Sequence, residues 1–148
     1  MSVGIFVALL CFFIFLESFF ALAEASFVSV NKAKLFRKAK ENNEKAKIAK
    51  KLLEHPERLF STTVLGTTTS MAVLTSVTTF FLYQNHGAEK VWLSFFIVTP
   101  LVLVFGEFIP KFIARGRADD LALGLSRPLE IATFLLFPVT QGFIVIAS

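Results

Sequence analysis

Three glutamates interrupt stretches of the sequence that are otherwise apolar. Glu17 and Glu24 fall within residues 3–30, and Glu107 falls within residues 91–114. A charged side chain deep in a lipid bilayer costs several kcal/mol, so such residues usually line an ion pathway or face a partner. Carboxylate, hydroxyl and carbonyl oxygens are the ligands that hard cations such as Mg²⁺, Ca²⁺ and Na⁺ prefer. The sequence therefore predicts cation binding inside a membrane.

The composition as a whole favours a membrane protein. Of the 148 residues 55% are hydrophobic, only 18% are charged and 19 are Phe, whereas soluble domains carry about 25% charged residues. Most Lys and Arg residues fall within residues 32–58, between apolar stretches rather than on a soluble fold, which argues against nucleic-acid binding. The single cysteine, Cys11, cannot form a disulfide framework or a metal–thiolate site.

The apolar stretches predict an all-α membrane protein with three transmembrane helices, at residues 3–30, 60–83 and 91–114. Each is long enough to cross the hydrocarbon layer, which takes about 20 residues. Residues 31–59 are rich in basic residues, and their apolar positions recur at helical spacing. We therefore expect a helical hairpin there. The last apolar stretch predicts a juxtamembrane (belt) helix over about 127–147, with a fourth span as the alternative.

The distribution of basic residues predicts the orientation. Lys and Arg are frequent in residues 31–59 and 111–117, whereas the loop at 84–90 carries only Lys90. By the positive-inside rule the hairpin is cytoplasmic and the N-terminus lies outside an inner (cell) membrane. Three crossings then return the chain to the cytoplasm, which favours a helix along the membrane surface over a fourth span.

The depth of each candidate ligand follows from its distance along the sequence. At a rise of about 1.5 Å per residue, Glu24, Gly66 and Glu107 each lie roughly 10 Å from the expected cytoplasmic end of their spans. Thr67 follows Gly66 at this level. Glu17 lies about 10 Å deeper than Glu24 on the same helical face, because seven residues make two turns. We therefore expect Glu24 and Glu107 to share a site, with Glu17 apart from it.

Less functional interpretations of the same residues remain open. Glu107 could pair with Lys111, one turn further along the helix. Glu17 and Glu24 have no nearby cation in their own helix and could be protonated and merely hydrogen-bonded. Pro110 lacks an N–H group and in an α-helix frees the carbonyl of Gly106, while Gly106 itself lets another chain approach closely.

Three motifs give the chain a resemblance to a known family. It resembles the transmembrane domain shared by the CNNM and CorC proteins, which are associated with Mg²⁺ transport or efflux. The likeness covers nearly the whole chain and rests on FFALAEA at 19–25 with NKAKL at 31–35, on HPERL at 55–59 with LGTT at 65–68, and on FGEFIPK at 105–111 with AR at 114–115.

The resemblance implies a homodimer of three-span protomers, each holding a cation near the inner side of the lipid bilayer. Such proteins normally continue into cytosolic CBS modules that bind nucleotide; these modules are absent from this sequence, so we expect an isolated or truncated domain. Glu24, Gly66 and Glu107 match the family's motifs. Thr67 and Thr68 stand where the family has two asparagines, and Ala21, Leu22 and Ala23 stand where it has Ser-Gly-Ser.

Two functions compete on this basis, and an enzyme is not expected because no nucleophile–base pair appears. The first is transport or efflux of a hard cation, most simply Mg²⁺, with Na⁺ or a proton-linked process as the variant. The second is a membrane anchor or regulator of the same fold that transports nothing. For the first, the predicted metal-site residues are Glu24, Glu107, Thr67, Thr68, Gly66 and Glu17, supported structurally by Gly106, Pro110 and Lys111.

Overall fold

Three long helices form the centre of the molecule. The computed structural model describes residues 2–147, and helix α1 comprises Val3–Ser29, whereas α4 comprises Pro56–His86. The third span comprises Leu93–Gly116. All three are long and apolar enough to cross a membrane, so the prediction of an all-α protein with three transmembrane helices is confirmed.

The third span is not a uniform helix. It begins as α5 (Leu93–Leu101), passes through a π-helix (Val102–Phe108) and ends as α6 (Ile109–Gly116). Within the π-helix the N–H of Ile109 donates to the carbonyl of Val104, five residues earlier. A π-helix is rare and often marks a functional site, and nothing in the apolar pattern of residues 91–114 predicted it.

Residues 31–59 fold as two short helices joined by a tight break. Helix α2 (Lys32–Lys40) and helix α3 (Glu44–Glu54) are capped by Asn31 and Asn43, whose side chains accept from Lys34 N–H and Ala46 N–H. Asn42 between them has φ 64°, a left-handed conformation that asparagine tolerates better than most residues. The helical hairpin is thus present, and its cytoplasmic location stays a prediction.

The hairpin packs on one end of the membrane helices. Its apolar face, which includes Leu35 and Leu52, joins a buried cluster with Phe27 of α1, Leu59 of α4 and Leu129 of the following helix. The backbone N–H of Asn31 also donates to Asp119 Oδ1 at 2.9 Å. This contact sets the end of α1 level with the chain just beyond the third span.

The C-terminal region forms two helices rather than one. Helix α7 (Ala118–Leu135) begins earlier than the predicted 127, and helix α8 (Phe137–Ala147) follows after a bend of 65°. Pro138 lies in the first turn of α8, where it has no N–H to continue the preceding helix, which accounts for the break. The bent pair would be a fourth span only if both helices cross together.

Candidate functional site

Glu17 is the most buried ionisable side chain in the first span. It lies near the middle of α1 with 1% of its surface exposed. Its Oε2 atom is buried and has no hydrogen-bond partner among the described residues. A buried carboxylate is unfavourable unless it is neutralised by a proton or paired with a cation.

The π-helix of the third span covers Glu17. A Cβ atom placed on Gly106 would lie 2.7 Å from Cγ of Glu17, a distance that side chains essentially never tolerate. Only glycine therefore lets the two helices approach this closely. The contact brings the backbone of the third span directly against the carboxylate-bearing side chain.

A serine next to Glu17 binds the same part of the third span. Ser18 Oγ donates to the carbonyl of Phe105 at 2.6 Å. In a π-helix the residue at position 110 would donate to the carbonyl five residues earlier, that of Phe105. In an α-helix it would donate to the carbonyl four residues earlier, that of Gly106. An α-helix predicted that Pro110 frees the carbonyl of Gly106. In the π-helix the carbonyl that Pro110 leaves without an N–H donor is instead that of Phe105, which accepts a hydrogen bond from the hydroxyl of Ser18.

Two further charged groups complete this site. Glu107 and Lys111 are both half-buried; Glu107 follows Gly106, which contacts Glu17, and Lys111 lies one helical turn further along the third span. The ion pairs among residues 2–147 are Lys34–Asp119 and His55–Glu57, so Glu107 and Lys111 do not pair with each other. We call Glu17, Ser18, Gly106, Glu107 and Lys111 the Glu17 cluster.

The predicted depths of the glutamates were wrong. The sequence analysis counted α1 back from Asn31 and the third span back from Arg115, which put Glu24 level with Glu107. The Asn31–Asp119 contact shows that Asp119 is the partner of Asn31. Counted from there, Glu17 precedes Asn31 by 14 residues and Gly106 precedes Asp119 by 13, so Glu17 shares the level of Gly106.

Glu24 lies away from this cluster. It follows Glu17 by seven residues, which places it about 10 Å closer to the hairpin along α1. Its side chain is half-buried. The structure therefore separates the two glutamates that the sequence analysis had grouped, Glu24 and Glu107, and joins Glu107 to Glu17 instead.

Gly66, Thr67 and Thr68 of α4 face three different surroundings. A Cβ on Gly66 would lie 2.5 Å from the ring of Phe20, so Gly66 packs on α1 within one turn of Glu17. Thr67 Oγ1 donates to its own helix at Val64 O, 3.0 Å away. Thr68 is exposed and lines a groove towards α8, because each residue turns the helix by about 100°.

Several other hydroxyls of α4 likewise bond within their own helix. Thr62, Ser70 and Thr75 donate to carbonyls four residues earlier, at 2.8, 2.8 and 2.9 Å. Thr79 instead donates to Ser94 of α5 at 3.0 Å, which joins the second and third spans. Thr78 Oγ1 is buried and has no hydrogen-bond partner among the described residues.

The donors available for a cation are carboxylates and backbone oxygens. Within the described residues no group of three or more His, Cys, Asp or Glu side chains converges. A cation at the Glu17 cluster would therefore have Glu17 and Glu107 as its charged ligands and would need neutral oxygens besides. Oxygen donors of this kind suit Mg²⁺, Ca²⁺ or Na⁺ rather than a thiophilic metal.

Two features of the site escaped the sequence analysis. The π-helix leaves no mark in hydropathy, although Gly106 and Pro110 four residues apart could have suggested an irregular helix. Ser18 was overlooked because one serine in an apolar stretch forms no pattern. Its role depends on which carbonyl the third span presents, and that is decided by packing.

Comparison with known proteins identifies relatives along nearly the whole chain. Residues 8–148 match a family model described as the cyclin M transmembrane N-terminal domain. The chain is 28% identical over 124 residues to the UPF0053 inner membrane protein YfjD of Escherichia coli, covering 84% of this chain and 29% of that protein. A UPF0053 protein of Synechocystis is 30% identical over 147 residues, covering 86% and 33%.

A UPF0053 protein of Haemophilus influenzae is similar to the same extent. It is 27% identical over 124 residues, covering 84% of this chain and 30% of that protein. This chain thus spans about a third of the length of its curated relatives. The likeness concerns the membrane domain, and the remainder of those proteins has no counterpart in it.

Proposed function

The chain belongs to the cyclin M family of transmembrane domains, and from this premise we propose that it transports a hard cation, Mg²⁺ in the first place. The single observation that carries the proposal is the buried Oε2 of Glu17, which lacks a hydrogen-bond partner among the described residues. A cation bound there would compensate negative charge of Glu17 and Glu107 that the single Lys111 does not balance.

The Glu17 cluster has the charge balance that a transport site requires. Glu17 and Glu107 supply two negative charges, and Lys111 close by supplies one positive charge. With no cation bound, Lys111 lowers the repulsion between the two carboxylates. An arriving cation replaces part of that compensation, so binding is favourable without being irreversible, as passage through a site demands.

The helices around the site suit alternating access. A Cβ atom at Gly66 or Gly106 would overlap a side chain of α1, so both glycines allow α4 and the third span to pack closely on α1. We propose that one helix shifts against the other at these contacts while the cluster keeps its ligands. Glu24, nearer the hairpin, would be a second carboxylate along the path, between the site and the proposed cytoplasmic side.

We further propose that the functional unit is a homodimer in an inner membrane. The third span exposes a row of aromatic side chains, with Phe105, Phe108 and Phe112 exposed to 53%, 75% and 77%. An apolar face of this kind suits contact with lipid as well as contact with a second copy of the chain. The resemblance to the CNNM and CorC proteins, which implies a homodimer, favours the second copy. The Escherichia coli relative is described as an inner membrane protein, which supports the location.

A membrane anchor that transports nothing is the second candidate. The observation in its favour is that the hydroxyls of Thr62, Thr67, Ser70 and Thr75 are already bound to carbonyls of α4. The protons of those hydroxyl groups are thus used within the helix. An anchor would explain the glycine contacts as packing, but it would not explain why an acidic side chain is buried at Glu17.

The deciding experiment compares Glu17→Gln and Glu107→Gln with the unchanged chain. Thermal unfolding in detergent and flux into proteoliposomes are measured with Mg²⁺, Ca²⁺ and Na⁺. We expect Mg²⁺ to stabilise the unchanged chain and each variant to need at least about tenfold more cation, because one unit charge near a partly buried cation is worth more than the roughly 1.4 kcal/mol of a tenfold change.

Glu54→Gln is the matched control, because it removes a carboxylate from the exposed hairpin. It should respond to cations as the unchanged chain does. If none of the three cations changes stability or crosses the membrane, the anchor is correct and transport is not. A cation response that survives Glu17→Gln unchanged would place the site elsewhere, with Glu24→Gln the next variant to compare.

A further inference from the structure

We propose that this chain holds one anionic phospholipid at the hairpin end of α4. The phosphate would occupy a cavity between α3, the first turn of α4 and α7, and an acyl chain would lie in the adjoining groove between α4 and α8. This lipid site is independent of the Glu17 cluster, with which it shares no residue.

The cavity has the size and charge for a phosphate group. Its volume is about 150 Å³, whereas one water molecule needs only about 10–15 Å³ on the same measure. Lys51, His55 and Arg58 line it together with one acid, Glu130. Neither Lys51 nor Arg58 forms an ion pair with Glu130 among residues 2–147, whereas His55 lies 3.9 Å from Glu57, so the charges of Lys51 and Arg58 are available to a ligand.

Arg58 is placed for a ligand that the protein atoms do not provide. Its guanidinium carbon lies 4.1 Å from the centre of the Phe137 ring, which is a cation–π contact. Its Nε atom is buried and has no hydrogen-bond partner within the described part of the chain. A guanidinium held at this ring with a donor unused is suited to the forked hydrogen bonds with which arginine binds phosphate oxygens.

The first turn of α4 adds to the attraction for an anion. This helix of 31 residues begins at Pro56, and His55 before it makes no side-chain capping bond. The N-terminal end of a helix carries a partial positive charge; here the N–H groups of Arg58 and Leu59 already donate to the carbonyl of His55, and Glu57 lies in the same turn. Because His55 and Arg58 line the cavity, that positive end is at its wall.

The neighbouring groove argues for a lipid rather than free phosphate. It begins beside the cavity at Pro56 and continues along α4 past Phe60 and Val64, with Ile144 of α8 on the other side. Its volume is about 920 Å³ and its walls are mainly apolar. Since α4 is a membrane-spanning helix, the groove runs from the headgroup level into the hydrocarbon layer, as a phospholipid does.

The bend between α7 and α8 creates this arrangement. Phe137, the first residue of α8, lines the cavity, whereas Ile144 of the same helix lines the groove. A straight continuation of α7 would carry these residues away from α4. Helix α8 thus borders both the cavity proposed for the headgroup and the groove proposed for the acyl chain.

The test measures lipid retained by the purified full chain. Native mass spectrometry counts phosphatidylglycerol after exchange into mild detergent, and thermal unfolding is followed with phosphatidylglycerol, phosphatidylcholine or inorganic phosphate. We expect Arg58→Gln to weaken phosphatidylglycerol binding by about tenfold, because it removes a charge-assisted hydrogen bond. Arg127→Gln, which removes an exposed charge from α7 outside the cavity, should leave binding unchanged.

A second pair of variants tests the groove without touching a charge. Val64→Trp should block the acyl chain and weaken phosphatidylglycerol binding several-fold, since Val64 is exposed to 53% and tolerates a larger side chain. Met71→Trp, two turns along α4 and exposed to 44%, is the control and should bind as before. This pair remains informative if Arg58→Gln does not fold.

Three results would overturn the proposal. Equal loss in Arg58→Gln and Arg127→Gln would mean that the basic hairpin region attracts lipid only through its general charge. Stabilisation by inorganic phosphate as strong as that by phosphatidylglycerol would make free phosphate the ligand. Equal retention of phosphatidylcholine would remove the role of the cavity's positive charge.

Discussion

At the scale of single residues, Glu17 and Gly106 form one unit. The carboxylate side chain fits only because the facing residue has no Cβ atom, and the same contact excludes water from Oε2. An ordinary apolar contact between two helices would tolerate small changes in side-chain volume. Here any addition at residue 106 must move the acid itself, so packing and the proposed ion site are inseparable.

Gly106→Ala should therefore destabilise the protein and disturb the acid. The new methyl group would meet Glu17 Cγ at 2.7 Å, and overpacking of this kind costs about 1–3 kcal/mol. The change is measured as the shift in thermal unfolding in detergent, with and without Mg²⁺. We expect both a lower midpoint and a smaller response to Mg²⁺.

Gly124→Ala provides the control for that measurement. Gly124 lies within α7 and nothing lies within 4 Å of a Cβ placed there. Alanine favours a helix over glycine by up to about 1 kcal/mol, so this variant should be as stable as the original or more so. Destabilisation of both variants alike would contradict a specific contact at Gly106.

At the scale of elements, the π-helix explains why the third span is built from three pieces. Pro110 begins the last piece without an N–H group to donate. In the π-helix before it, each backbone hydrogen bond spans five residues instead of the four of an α-helix. The carbonyl of Phe105 accepts instead from the hydroxyl of Ser18, which belongs to α1. The irregularity therefore joins two spans that would otherwise meet only through apolar contacts.

A double-mutant cycle tests this pairing of Ser18 with Pro110. Ser18→Ala should lower the free energy of unfolding by about 1–3 kcal/mol, because it leaves a carbonyl inside the membrane without a donor. In a Pro110→Ala background the restored N–H gives the helix its own donor, so the same serine change should cost less. The measurement is chemical or thermal unfolding of all four proteins in one detergent.

Strictly additive effects in that cycle would contradict the account. Ser26→Ala serves as the reference for losing a serine hydroxyl, because Ser26 Oγ donates to Leu22 O in its own helix at 2.6 Å. Its cost should not depend on Pro110. A dependence equal to that of Ser18 would point to a general effect of the proline on stability.

At the scale of the whole molecule, the junction between the spans and the hairpin sets the alignment of the membrane helices. Asp119 accepts from Asn31 N–H at 2.9 Å, and Lys34 Nζ lies 3.7 Å from its other oxygen. The ion pair is exposed and worth little, whereas the bond to the backbone is specific. The level of Glu17 relative to Gly106 follows from this junction.

Asp119→Ala should loosen the junction and destabilise the protein by about 1–2 kcal/mol, since a charge-assisted bond to a backbone N–H is lost. Hydrogen exchange should quicken at the start of α2. Asp120→Ala is the control, because Asp120 also lies in the first turn of α7 but is exposed. If both variants exchange alike, the helix N-terminus rather than the bond to Asn31 accounts for the effect.

Prediction from the sequence succeeded where one segment decides the outcome. The long apolar stretches identified the three spans, and the helical spacing of residues 31–59 identified the hairpin, because helix length, hydropathy and periodicity are properties of neighbouring residues. The bounds of the C-terminal helices were less accurate. There Pro128 lies inside α7 without breaking it, whereas the break occurs before Pro138.

The sequence by itself determined that this is a helical membrane domain with acids inside its spans, since apolar length and the cost of charge in lipid are local quantities. Only the tertiary structure decided which acid faces which helix. Glu17 meets Gly106 where the π-helix sets which backbone atoms face α1, and the Asn31–Asp119 contact joins the chain just beyond the ends of the same two spans. Both depend on contacts between residues about 90 positions apart in the sequence, which no pattern within one segment records.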